Sequence, residues 1–154
     1  MHIVLFEPQI PPNTGNVART CAATSTTLHL VEPLGFRIDD KTLKRAGLDY
    51  WHLVEVKVHP NLHEVIEEAE AADANCYFYT KFATKLYTEA NYQSGDYLVF
   101  GKETTGLPTF VHEHYPDSRY RLPMGEGLRS LNLSNSVAIV LYEGLRQLNF
   151  PGLS

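Results

Sequence analysis

The sequence has few of the residues that would indicate a disulfide framework, a zinc ribbon or a membrane anchor. Its 154 residues include only two cysteines, Cys21 and Cys76, which lie far apart and lack Cys-x-x-Cys spacing. No apolar run approaches the roughly 18 residues of a membrane helix, and the first residues lack the basic and apolar regions of a signal peptide. We therefore expect buried free thiols in a soluble, cytoplasmic protein with no membrane partner.

Positive charge is also scarce. The chain has 13 Lys and Arg residues against 18 Asp and Glu residues, which gives a net charge of −5. Because phosphate contacts supply most non-specific affinity for nucleic acids, this balance argues against indiscriminate binding. Basic residues cluster locally, between residues 41 and 45 and at Arg119 and Arg121, whereas residues 64–73 are rich in acid. RNA binding is possible through such clusters, although each could equally be a solvated face.

A glycine-rich phosphate loop is missing. The single Gly-x-Gly is Gly125-Glu126-Gly127, and no third glycine follows at the spacing of a dinucleotide fingerprint. An ordinary Rossmann cofactor site is therefore disfavoured. A nucleotide-binding α/β enzyme that uses Gly125 and Gly127 is the weakest alternative.

Histidines occur in two pairs that could suggest a metal site. His59 and His63 are four residues apart, and His112 and His114 flank Glu113. A proline interrupts any helix joining the first pair, and neither pair has further ligands nearby at a familiar spacing. We expect no metal.

Short β-forming runs alternate with helical patterns along the whole chain. Strands are predicted at residues 2–6, 28–31, 54–58, 76–80, 97–100 and 120–122, and helices at 15–24, 40–45, 62–72, 108–114 and 133–148. This alternation predicts an α/β fold, a mostly parallel sheet with helices on both faces. With 154 residues and 44% hydrophobic content, we expect one domain spanning residues 1–154.

Three segments dense in small polar and chain-breaking residues lie at the ends of predicted elements. Residues 11–19 follow the first strand, residues 100–108 follow the fifth, and residues 130–136 open the last helix. Ser and Asn disfavour helix interiors but suit a helix N-terminus, where N–H groups need acceptors. Since ligands gather beyond the carboxyl ends of strands in α/β sheets, Asn13, Gly101 and Ser130 should share one site.

These three segments resemble the signature motifs of the SPOUT class of RNA methyltransferases, most closely the small tRNA wobble-nucleotide 2'-O-methyltransferases. The resemblance extends to residues 7–16, 32–36, 45–50 and 146–148, so it covers nearly the whole chain. It implies that S-adenosylmethionine donates a methyl group to the ribose 2'-hydroxyl of the nucleotide at position 34, cytidine or modified uridine, in the tRNA anticodon loop. The alternative is an RNA-binding or assembly protein of the same fold without methyl transfer, and the presence of all the polar motif residues weighs against it.

The resemblance also implies a C-terminal trefoil knot over about residues 76–150 and a homodimer. The last helix agrees with a dimer, since apolar residues spread too widely around it for one-sided packing. A fully buried core helix is the alternative.

By the same resemblance, the knot forms the pocket for S-adenosylmethionine. The residues implied to bind it are Phe78, Tyr79, Thr80, Gly101, Leu122, Met124, Ser130 and Leu131. Glycine at position 101 suits this role because the absent Cβ permits close approach of the backbone to a ligand. An ordinary turn glycine is the alternative.

The resemblance implies catalytic roles for Arg19, Asn16, Glu103 and Asn132, and RNA contacts for Asn13, Arg19, Arg129 and Ser134. If the first helix begins near residue 15, Asn16 and Arg19 share one helical face. The high pKa of arginine favours phosphate positioning or oxyanion stabilisation for Arg19. Glu103 suits an orienting role more than that of a base, with a loop cap as alternative, and Ser134 or Asn135 could merely cap the last helix.

Overall fold

The structure, a computed structural model, describes residues 1–39, 41, 45 and 48–154. Its strands are β1 (His2–Phe6), β2 (Thr27–Val31), β3 (Val56–His59), β4 (Cys76–Tyr79), β5 (Tyr97–Phe100) and β6 (Arg119–Tyr120). Its helices are α1 (Pro11–Ala23), α2 (Leu62–Ala71), α3 (Thr109–His114) and α4 (Leu133–Gln147), with 3-10 turns at Leu48–Leu53, Tyr87–Glu89 and Pro116–Ser118. The helix predicted over residues 40–45 lies outside the described residues, apart from Lys41 and Arg45.

The six strands form one sheet in the order β3-β2-β1-β5-β4-β6, and every strand pairing in the described part of the chain is parallel. In the centre, His2 of β1 lies between Thr27 of β2 and Tyr97 of β5. A central parallel strand is covered on both sides, which explains the continuous apolar run of β1. The prediction of an α/β fold with a parallel sheet is confirmed.

Helices cover both faces of this sheet. Side chains alternate along β1, so Ile3 and Leu5 pack into the core under α1 and α4, while Val4 and Phe6 pack into the core under α2 and α3. Cys21 of the first core is buried and unpaired. Burial raises the pKa of its thiol to about 12, so this cysteine is an inert core residue.

Helix α1 begins at Pro11, four residues before the predicted start at residue 15. Two prolines occupy its first turn, where the missing N–H groups would have had no partner inside the helix, so they are tolerated. The earlier start places Asn13 inside the first turn, where it is buried. Strands β3, β4 and β6 are each one residue shorter than predicted.

The acidic residues between positions 64 and 73 lie mostly on the outer face of α2, as expected, but Glu68 turns towards the sheet. There it accepts a hydrogen bond from the Tyr97 hydroxyl at 2.7 Å. No helix within the described ranges combines the length and apolar character needed to cross a membrane.

Candidate functional site

A cavity of about 560 Å³ opens beyond the carboxyl ends of β4 and β5. Its volume falls within the range of about 300–1,000 Å³ that small-molecule sites occupy. Seven of the residues predicted to bind the cofactor line it, namely Tyr79, Thr80, Gly101, Leu122, Met124, Ser130 and Leu131. Phe78 does not, because side chains alternate along β4 and its ring packs against Tyr115 in the core on the other face of the sheet.

Glu103 joins the loop after β5 to the start of α1. The helix has no acidic residue in its first turn, and Ile10 at its N-cap has no side-chain acceptor. The Glu103 carboxylate accepts hydrogen bonds from the backbone N–H of Gln9 at 3.0 Å and of Ile10 at 2.8 Å. Negative charge at a helix N-terminus is stabilising, so this carboxylate completes an end that local sequence leaves uncapped.

Two asparagine side chains extend this connection to the third polar segment. Asn132 donates through Nδ2 to Asn13 Oδ1 at 3.1 Å, and Asn13 donates through Nδ2 to Glu103 Oε2 at 3.3 Å. Because an ionised carboxylate only accepts, the orientation of both amides is fixed from Glu103 outward. We call these three residues the Asn132–Asn13–Glu103 chain. It brings the three polar segments together at one wall of the cavity.

Asn132 is also the N-cap of α4. Its Oδ1 accepts from the backbone N–H groups of Ser134 at 2.9 Å and Asn135 at 3.3 Å, and from the Ser134 hydroxyl at 2.6 Å. The alternative in which Ser134 or Asn135 caps the helix is therefore wrong. Ser134 lies half-buried in the first turn and does not line the cavity.

Gly101 is required by its own loop. A Cβ on this residue would lie 2.3 Å from the carbonyl carbon of Gly106 and 2.5 Å from the backbone nitrogen of Leu107. The loop closes through paired backbone hydrogen bonds between Lys102 and Gly106, whose φ of +75° favours glycine. The close approach expected from the sequence exists, but its partner is the chain itself.

Asn16 and Arg19 do not line the cavity. Both side chains are exposed on α1, and the Arg19 guanidinium lies 5.0 Å from the centre of the Tyr50 ring. Because an α-helix has 3.6 residues per turn, the side chains at positions 16 and 19 point in different directions from that of Asn13, which faces inward. Within one chain, the structure separates these two predicted catalytic residues from Glu103 and Asn132.

The cavity rim is cationic. Lys81, Lys102 and the predicted RNA contact Arg129 all line it. Lys102 also forms an ion pair with Glu7 at 3.1 Å, which leaves Lys81 and Arg129 as the more available charges for an anionic ligand. These positions concentrate positive charge locally on an acidic chain.

Sequence reasoning missed Lys81, Phe82 and His112, which all line the cavity. The Phe82 ring is exposed and meets His112 edge-on at 5.6 Å. Burial, and then the Arg119 guanidinium 3.1 Å away, lower the pKa of His112, so it is a neutral polar group. The position of Lys81 and Phe82 directly after β4 was the available signal, since loops at this end of a parallel sheet form sites.

A model of the SpoU rRNA methylase family matches residues 1–142, and the chain belongs to this family. This confirms the family resemblance of its motifs. A Bacillus subtilis (strain 168) protein provisionally named tRNA (cytidine(34)-2'-O)-methyltransferase is 52% identical, over 99% of this chain and 96% of its own.

Solved structures agree with this membership. A Bacillus anthracis structure superposes with a TM-score of 0.91 at 50% identity, covering 99% of this chain and 97% of its own. A second structure, described as giving insight into the 2-OH methylation of C/U34 on tRNA, has a TM-score of 0.90 at 41% identity and covers 96% and 95% of the two chains.

Proposed function

We propose that the protein transfers a methyl group from S-adenosylmethionine to the ribose 2'-hydroxyl of the wobble nucleotide of tRNA, position 34, a cytidine or modified uridine. The observation that carries this proposal is the convergence of three polar segments, through the Asn132–Asn13–Glu103 chain, on one cavity. The name of the Bacillus subtilis relative and the subject of the second solved structure support the choice of substrate. A tRNA substrate would place the enzyme in the cytoplasm.

The cavity residues fit S-adenosylmethionine, which supplies an electrophilic methyl group when bound. Leu122 and Met124 provide apolar surface for an adenine ring, and Ser130 adds a hydroxyl beside them. The Glu103 carboxylate provides negative charge in a cavity that would hold a cationic sulfonium. The apolar surface thus suits the adenine ring, the hydroxyl suits a polar group beside it, and the carboxylate suits the positively charged sulfonium.

The contacts of Glu103 and Asn132 suit positioning rather than proton transfer. Glu103 accepts three hydrogen bonds, and Asn132 makes hydrogen bonds through both its oxygen and its nitrogen, so both side chains are held in place. Holding two reactants in line can account for much of the barrier reduction in a transfer reaction. We infer that these residues fix the wall against which the methyl donor and the ribose meet.

We infer a homodimer that covers the outer faces of α1 and α4. The inner residues of α4 are buried against α1 and the sheet, but Ile139 is 40% exposed and Tyr142 is 47% exposed on its outer side. Leu53, at the end of the 3-10 turn that packs against α1, is 64% exposed. A partner on this surface would also meet Asn16 and Arg19 and could receive them into its own cavity.

We infer the trefoil knot from family membership. The sheet order supports it, since β6 lies at the edge beside β4 and the chain then returns to form α4 beside α1 and β5. Such a path would draw the segment of Leu122 to Leu131 across the loops that follow β4 and β5.

The direct test is to incubate the protein with S-adenosylmethionine labelled in its methyl group and bulk tRNA, and to map the labelled nucleotide. The expected result is label on the 2'-oxygen of nucleotide 34. Label on a base would contradict the proposal. RNA binding without any label would favour the binding-protein alternative.

A further inference from the structure

We propose that His29, His59 and Glu68 form a binding site for a divalent transition metal ion, Zn²⁺ by preference, on the face of the sheet under α2. This inference stands apart from the methyl-transfer proposal, because the site lies among β2, β3 and α2 and shares no residue with the cavity. It also departs from the expectation of no metal, which considered His59 only together with His63, and His112 together with His114. His63 instead stacks on Phe110, and His112 contacts Arg119.

The three candidate ligand atoms already converge. His29 Nδ1 lies 2.8 Å from His59 Nε2 and 3.7 Å from Glu68 Oε2, and all three ligand atoms fall within 4.8 Å of one another. Two ligands on a tetrahedral Zn²⁺ with bonds of about 2.0–2.1 Å lie about 3.3 Å apart. These two distances lie on either side of this value. The shorter one is a hydrogen bond in the metal-free protein, so His59 must present an unprotonated Nε2, with its proton on Nδ1, for an ion to bind.

Neighbouring groups hold these side chains in position through hydrogen bonds, as the hydrogen-bond partners of metal ligands do. His29 is fully buried, and its other ring nitrogen, Nε2, lies 2.9 Å from His2 Nδ1. With a proton on Nε2, His29 donates to His2 and turns the lone pair of Nδ1 towards the metal position. The Tyr97 hydroxyl donates to Glu68 Oε2 at 2.7 Å and fixes the carboxylate.

The donor set selects the kind of ion. Two imidazoles and one carboxylate leave one position of a tetrahedron open for water, a combination that Zn²⁺ accepts and that Ca²⁺ and Mg²⁺, which prefer oxygen, do not. An ion can reach the site, because β3 is an edge strand and the Glu68 side chain is 34% exposed. The rigid ligand is His29 and the adjustable ones are His59 and Glu68.

Among the lysine and arginine side chains of the described residues, Lys57 alone forms an ion pair with the Glu68 carboxylate, with Nζ 3.5 Å from Oε1. Its ammonium and the metal would share the carboxylate, one on each oxygen. The side chain is 41% exposed, so it can turn to solvent when an ion enters. Removing this positive charge should therefore tighten metal binding, an effect that a merely structural histidine cluster would not produce.

The experiment titrates metal-free protein, without a histidine tag, with Co²⁺ and follows the visible absorption of a four-coordinate centre, then displaces Co²⁺ with Zn²⁺. The variants are His59→Ala and Glu68→Gln in the site, Lys57→Gln beside it, and His63→Ala as a matched exposed control. Circular dichroism and melting in the absence of metal show which variants fold. Because Glu68→Gln preserves shape, it keeps the test decisive if His59→Ala does not fold.

We expect one Co²⁺ per chain in the unmodified protein and in His63→Ala. Glu68→Gln and His59→Ala should weaken binding by about 100-fold or more, since even outer-shell changes cost about 10–100-fold. Lys57→Gln should bind several-fold more tightly, and Zn²⁺ should raise the melting temperature of the unmodified protein but not of Glu68→Gln. Absence of stoichiometric binding, or equal binding by Glu68→Gln and the unmodified protein, would overturn the proposal.

Discussion

Two chains of hydrogen-bonded polar side chains, each centred on one buried residue, cross this fold, and they differ in how they are built. The Asn132–Asn13–Glu103 chain lies at the carboxyl end of the sheet and joins helix starts and a loop. The histidine chain, His2 to His29 to His59, runs within the sheet across β1, β2 and β3. The first uses groups that cap backbone and leaves a cavity beside it. The second is packed between strands and α2, so its polar atoms mostly satisfy one another.

The difference explains which chain the sequence reveals. Asn13, Glu103 and Asn132 each stand in a segment dense in Gly, Pro, Asn and Ser, and such segments mark the ends of elements. His2 and His29 are single residues within predicted strands, and His59 directly follows one. They lie 27 and 30 positions apart, and nothing local links them. Only the register of β1, β2 and β3 brings them together, and single-sequence patterns do not predict register.

The fold was accessible from the sequence because buried parallel strands are short apolar runs, and all six predicted strands exist. The start of α1 was not, because Pro11 and Pro12 read as a loop although a first helical turn tolerates proline. The cap of α1 was not predictable either, because the carboxylate that completes this helix comes from Glu103, more than 90 residues away in the sequence. The roles of the predicted site residues remain predictions.

The largest effect should come from Arg19→Ala. This variant tests whether the exposed face of α1 contributes to methyl transfer beside the Asn132–Asn13–Glu103 chain. We expect methyl transfer to fall by about 100-fold or more, as when one transition-state contact is lost, while S-adenosylmethionine affinity and melting temperature stay unchanged. Arg19→Lys should recover activity only in part, because an ammonium lacks the planar fork of a guanidinium.

Mixing Arg19→Ala with Asn132→Ala sharpens this test. If Arg19 serves the partner's cavity, mixed dimers contain one intact site and partial activity returns. If each chain uses its own arginine, the mixture stays inactive, and the dimer inference for this residue is wrong.

Glu103→Ala should produce the next largest effect, on stability and activity together. The backbone N–H groups of Gln9 and Ile10 and the amide of Asn13 would lose their shared acceptor. Leaving such groups unpaired costs about 1–3 kcal/mol each when buried, and less where water replaces the carboxylate. Chemical denaturation measures the loss, with exposed Glu126→Ala as the control. Unchanged stability and activity would show that the polar chain does not hold the site together.

As the pH falls, the histidine chain should be disrupted before the Asn132–Asn13–Glu103 chain. Burial lowers the pKa of His29 from 6.5 to about 3 in the folded protein, so below about pH 6.5 the unfolded state takes up a proton that the native state refuses. Stability is full above this pH and falls by up to about 1.4 kcal/mol per pH unit as the pH drops towards 3. Unfolding of metal-free protein at several pH values measures this slope. His63→Gln should leave it unchanged, and a flat profile between pH 6.5 and 4 would contradict the burial of a neutral His29.

Ser134→Ala should have the smallest effect. Asn132 already accepts the backbone N–H groups of the first turn of α4, so the Ser134 hydroxyl is an additional donor to an oxygen that is well occupied. We expect stability to change by no more than about 0.5 kcal/mol and transfer by no more than a few-fold. Asn132→Ala is the matched comparison, and it should lose both the cap, at about 1 kcal/mol, and transfer. A large loss of tRNA affinity in Ser134→Ala alone would instead support its predicted RNA contact.

The most direct measurement is a crystal structure of the protein soaked with S-adenosylmethionine. The account predicts the ligand in the cavity beyond β4 and β5, against Gly101, Leu122 and Ser130, with its methyl group facing the wall formed by Asn13 and Asn132. A ligand bound elsewhere, with this cavity empty and the three polar segments unchanged around it, would contradict the central claim.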